Sequence, residues 1–240
     1  MNALGGSMLA RHRFVIAACL VAAAALTNVL SFRWDAPAHG GAKFDPLGRV
    51  AHAAEAVQKS WQVWMKKRHL LARLARLGPL PDDAAVTQAQ LDEFLDIVGL
   101  IDSGSTPPDP DYIRPLLDAF GYGDGYAGYT HGAWALLKQD RAAVVEAALD
   151  TLETGGDGPR QWAMETLRRL RERDRGDPPP SPREFRCVEV ALTGGSPLVA
   201  VAAVYWAYWV GGVEGQRLLE LAARVATGEA RQRAAELLVP

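Results

Sequence analysis

The stretch GDGYAG, residues 123–128, has the spacing of the glycine fingerprint that holds the pyrophosphate of a dinucleotide. That chemistry needs a strand feeding a tight glycine turn into a helix N-terminus, within a βαβ unit. The preceding DYIRPLLDAF, 111–120, reads instead as a helix, and no parallel sheet is predicted around it. We therefore expect no nucleotide and no cofactor here. Gly121, Gly123, Gly125 and Gly128 end one helix and turn the chain into the next. The loop is still rich in recognition groups. GYGDGYAGYTH sets Tyr122, Asp124, Tyr126, Tyr129 and His131 on adaptable backbone, and these five are the predicted partner-binding residues. The competing reading is a turn whose tyrosines plug neighbouring helix ends.

Elsewhere the chemistry is thin. His52 and Glu55 have the i, i+3 spacing of a metal-binding pair, but a site needs three or four ligands and no second pair is visible. No nucleophile accompanies His131. Cys187 lies in FRCVEVAL, a helical core pattern, where cysteine simply packs. Asp82, Asp83, Asp109 and Asp111 belong to helix starts. PPPSP, 178–182, is a stiff linker before a capped helix, with proline-ligand recognition as its alternative. We expect no catalytic residue, no metal and no enzyme.

The elements that carry these residues follow from punctuation. Thr87-Gln90 and Ser181-Glu184 are capping boxes, and Asp109-Pro110, Asp140, Gly158-Pro159 and Ser196-Pro197 open further segments. Gly121, Gly155-Gly156, Gly194-Gly195 and Gly211-Gly212 close them, and two more segments follow at about 214–226 and 229–238. Between the signals apolar residues keep helical spacing, as in Val144, Val145, Ala148, Leu149 and Leu152. The helix from Pro197 to Val210 is apolar on every face, which predicts a central position, with some of Tyr205, Trp206, Tyr208 and Trp209 reaching the surface as binding anchors.

The expectation is an all-α chain of short antiparallel helix pairs. The segments from 158, 196 and 227 share a helix start followed by an Ala-rich apolar stripe, at offsets of 38 and about 32 residues. They resemble HEAT repeats, over roughly 140–240 and more loosely over 86–139. The resemblance implies an α-solenoid over 84–240.

Upstream, residues 1–80 carry 11 Lys/Arg against 3 Asp/Glu, whereas 81–240 carry 15 against 25. The apolar run 14–32 is long enough to span a bilayer. It reads as a signal-anchor, a signal peptide with Ala36-Pro37-Ala38 as its cleavage site, a lipoprotein box ending at Cys19, or an Ala-rich helix packed on the domain. Basic residues after the run would keep the main domain on the cytoplasmic side of a membrane anchor; a secreted or periplasmic form stays open. Residues 45–80 form the next segment, whose basic helix 59–78 suits either anionic lipid or the end of a core.

The acidic helical pairs are also similar in general character to bacterial immunity proteins of polymorphic toxin systems. That likeness implies a non-catalytic module that neutralises a cognate toxin by occlusion, acidic residues meeting a basic surface and aromatics anchoring it. The rival is a membrane-attached scaffold recruiting a protein partner, with membrane contact through 14–32 and 59–78. Nucleic acid is not expected as a partner.

Overall fold

The computed structural model describes residues 46–103, 108–174 and 178–239. The apolar run 14–32, with Cys19 and the Ala36-Pro37-Ala38 site, lies outside the described residues. The chain divides into two units, Met1–Lys66 and Lys67–Pro240, with the boundary inside the first described helix, α1, Pro46–Leu77. In the first unit Trp61 and Trp64 stack at 4.9 Å between centroids, one helical turn apart.

The described residues contain ten α-helices and no strand, so the protein is all-α. After α1 come α2 (Gln88–Asp102), a 3-10 turn (Pro110–Tyr112), α3 (Ile113–Ala119), α4 (Gly128–Leu137) and α5 (Arg141–Thr154). Then follow α6 (Asp157–Asp174), α7 (Pro182–Gly194), α8 (Pro197–Val210), α9 (Gly212–Val225) and α10 (Gly228–Leu237). Local chemistry sets most boundaries. Thr87 and Ser181 each cap the third amide of their helix and receive the Gln90 or Glu184 side chain in return. Asp140 caps Ala143, and proline occupies the first turn of α7 and α8. The exception is α4. It begins at Gly128, behind Ala127 at φ 68° with no side-chain cap.

The second unit packs as two rows. Helices α2, α4, α6, α8 and α10 touch in that order, and α3, α5, α7 and α9 form the other row. Sequential helices join the rows: α5 on α6, α7 on α8, α8 on α9 and α9 on α10. The core runs between them. Apolar α8 lies among α6, α7, α9 and α10, with Val204, Trp206 and Ala207 fully buried and Tyr208 exposed. One buried ion pair crosses the rows. Arg171 Nη2 donates to Glu184 Oε1 at 2.5 Å, with the two side chains 2% and 5% exposed. Arg171 also donates to the Pro178 carbonyl and lies over the Trp206 ring, so one guanidinium ties α6, the linker, α7 and α8.

The last three turns of α1 belong to this unit. Leu70 and Leu74 are buried. Arg73 grips Glu93 with two bonds of 2.7 Å and reaches Asp96, while Lys67 sits 2.5 Å from both Asp109 and Asp111. Here the basic helix neutralises surface carboxylates of α2 and of the 3-10 turn. Burial works against the Lys67 charge, but the two carboxylates outweigh it and its pKa rises.

Candidate binding face

The GDGYAG loop is fastened by one carboxylate. Asp83 accepts the amides of Asp124 (3.0 Å) and Gly125 (2.8 Å), and its own carbonyl accepts the Tyr126 hydroxyl (3.1 Å). Successive amides wrapped around an anion are the geometry of a phosphate-binding nest. In this chain the anion is internal, and a Cβ on Gly123 would overlap the Asp83 carboxylate. The fingerprint spacing thus encodes a carboxylate-filled turn between α3 and α4. From the other side Gln161 brackets Gly123 with a donor and an acceptor, and Trp162 Nε1 donates to the Gly123 carbonyl at 3.0 Å. Gly158 lets the start of α6 come against the Gly121 and Tyr122 backbone, where a side chain would collide. These ties hold Tyr126 (φ 52°) and Ala127 in the left-handed region, which L-residues rarely occupy.

Tyr129 does not reach the surface. It is 0% exposed and packs edge-on against Phe94, Phe120 and Trp162, at 5.5–5.8 Å. Burial, together with the nearby Asp83 charge, pushes its phenol up to about 12. As a predicted partner-binding residue it is therefore corrected to a core residue: the apolar spacing of α4 turns it inward. Tyr122 is half-buried, and its carbonyl accepts the Asp83 amide. Tyr126 is 71% exposed, and Asp124 and His131 are also exposed.

Asp124 and His131 open onto two grooves. The groove between α2 and α4, about 440 Å³, is lined by Leu95, Val98, Gly99, Asp102, His131, Trp134 and Lys138. Asp102 and Lys138 pair across it at 2.6 Å. The groove between α6 and α8, about 480 Å³, has Asp124, Glu165, Arg168, Arg169 and Tyr205 among its polar lining and Leu198, Val201 and Ala202 among its apolar lining. Trp134 and Arg169 join the two, the guanidinium 5.3 Å above the half-exposed indole. Glu165 orients the cations. It takes two bonds from Arg168 and one from Arg169 Nε, all at 2.7 Å. Burial raises its pKa, yet these two arginines hold it below the ordinary range.

Trp134, Glu165, Arg169 and Tyr205 escaped sequence reasoning as a group. Arg168, Arg169 and Glu165 read as an ordinary salt-bridged helix surface, and Trp134 lies in an apolar run whose neighbours are nearly all buried. Of the earlier candidates for other chemistry, Cys187 is buried in α7, its thiol pushed up by burial and by the Glu153 charge. His52 and Glu55 are exposed on α1. Among the described residues no group of three His, Cys, Asp or Glu is placed to hold a metal, and no helix is long and apolar enough to cross a membrane.

No family model matches the chain, and neither curated proteins nor solved structures give a match.

Proposed function

We propose that residues 84–239 are a non-catalytic, HEAT-like helical-repeat module that binds a protein partner across the α2–α4–α6–α8 face. The observation that carries this reading is the pair of adjoining grooves, joined by Trp134 and Arg169. Aromatic and arginine side chains beside concave apolar surface are what interface anchors are made of. The packing of the helices in two rows supports a solenoid reading, in which each pair covers its neighbours' apolar faces. The likeness to immunity proteins gives the partner a class: a toxin, held by occlusion of its working surface.

The test is crosslinking of the full chain in its native cell, with the captured protein quantified by mass spectrometry. Gly99→Trp fills the first groove where a side chain has room, since nothing lies within 4 Å of its Cβ position. Val201→Arg places charge in the second groove, and Tyr126→Ala removes the exposed loop anchor. We expect each groove variant to lower capture at least tenfold, while Arg183→Ala on the opposite row leaves it unchanged. Equal capture by all variants defeats the reading. A captured protein that kills when produced alone, and not when produced with this chain, is the result the toxin class requires.

A further inference from the structure

The groove between α6 and α8 holds two open charges of opposite sign. Arg169 is committed at one nitrogen, Nε, which donates to Glu165, and its guanidinium is stacked on Trp134. Its side chain is 18% exposed, and neither terminal nitrogen has an acceptor among the described residues. Arg168 beside it differs: its nitrogens are spent on Glu165 and Glu172. Asp124 contributes its amide to the Asp83 turn, and its carboxylate has no partner among the described residues. Leu198, Val201 and Ala202 line the same groove.

A guanidinium fixed over an indole and by one carboxylate at Nε, with its two terminal nitrogens left over, is pre-organised for a further carboxylate. An unpaired carboxylate in the same groove disfavours a purely anionic occupant and rewards one that also carries a cation. The apolar lining adds a place for an aliphatic side chain. We propose that this groove takes a peptide segment of the partner protein that carries both charges. An Asp or Glu side chain meets Arg169, a Lys or Arg side chain meets Asp124, and an aliphatic residue rests on Leu198, Val201 and Ala202. The proposal rests on the binding-module reading and names the chemistry that the module selects.

Random dodecapeptides displayed on phage, selected on the immobilised full chain, supply the probe. The expected consensus has an acidic, an aliphatic and a basic position. The synthetic consensus peptide, followed by fluorescence anisotropy, should bind Arg169→Gln at least tenfold more weakly than wild type. Asp124→Lys should also weaken it, and changing the basic position of the peptide to Glu should restore binding to that variant. Asp124 is exposed, so the charge-swap arm stays informative even if Arg169→Gln disturbs the Trp134 stack. Selection of peptides without an acidic position, or a consensus peptide indifferent to both residues, overturns the proposal. Peptides blocked by Gly99→Trp but indifferent to Arg169 overturn it while sparing the binding-module reading, whereas failure to select any peptide counts against both.

Discussion

The two rows of the second unit use charge in opposite ways. On the α3–α5–α7–α9 row three arginines close on neighbouring helices. Arg114 reaches Thr154, Arg183 takes Glu146, Asp150 and Glu153, and Arg217 takes Glu189. On the α2–α4–α6–α8 row Arg169 stacks on an indole and keeps two nitrogens open, Asp124 is unpaired among the described residues, and grooves lie between the helices. A surface that satisfies its own charges gives a partner little to gain. A surface that orients charges without satisfying them does. The charge total could not make this distinction, because the acidic excess of residues 81–240 lies on both rows.

The comparison breaks most completely at the buried pair that crosses the rows. Glu184→Ala leaves the Arg171 cation in the core and removes one arm of the Ser181 capping box. Loss of one partner of a buried pair costs about 3–5 kcal/mol. We expect the midpoint of chemical denaturation to fall accordingly, and both faces to be lost in one transition. If Glu184→Ala unfolds at the wild-type midpoint, the rows are not tied there.

A smaller effect sharpens the division within the loop itself. Tyr126 and Tyr129 are three residues apart, yet one is 71% exposed and the other 0%. A phenol that ionises near 10 in the unfolded chain and at about 12 when folded keeps its proton longer in the folded state. Its contribution to stability is therefore complete below pH 10 and is lost as pH rises through about 12. Between those values the slope is about 1.4 kcal/mol per pH unit. Urea titrations from pH 9 to 12 should show this slope added to that of Tyr112, Cys187 and Lys67, whose pKa values are also raised, and Tyr129→Phe should lower it by the Tyr129 share. A Tyr126→Phe variant that removes it equally well would assign the wrong tyrosine to the core.

That tyrosine also marks where sequence reasoning ran out. Helix class and most boundaries were legible because they depend on neighbours in the chain: Thr87 with Gln90, Ser181 with Glu184, Asp140 with Ala143. The central place of α8 was legible because a helix with no polar face must be covered. A helix rather than a strand before the GDGYAG loop was legible from DYIRPLLDAF. The anion that fills the loop was not, since Asp83 lies 42 residues from Gly125 and reads locally as a helix-start residue. Tyr129 looked like a loop anchor because the glycines around it hide that α4 starts at Gly128, with no side-chain cap to mark it. The Trp134–Arg169 contact joins two helices whose separate sequences hold no trace of it.

The smallest expected effect falls on the α3–α5–α7–α9 row, at its most heavily paired arginine. Arg183 makes two bonds to Glu153, of 3.0 and 2.7 Å, one of 2.6 Å to Asp150 and one of 2.9 Å to Glu146. These hydrogen bonds and charges raise its pKa. Counting pairs would make it the keystone of the row. Yet the acidic side chains are 48–69% exposed, so water and salt screen each contact, and the long arginine loses rotamer freedom when it is held. Exposed pairs of this kind contribute about 0.2–1 kcal/mol. Arg183→Ala should lower stability by about 1 kcal/mol or less in dilute buffer. What remains of the loss should reflect mutual repulsion among Glu146, Asp150 and Glu153, which lie one turn apart on α5. In 1 M salt, where the screening length is about 3 Å, the difference from wild type should nearly vanish. A loss above 3 kcal/mol that persists in salt would make the paired row a structural spine. The contrast with the open charges of the grooved row would then have to be drawn from groove shape alone.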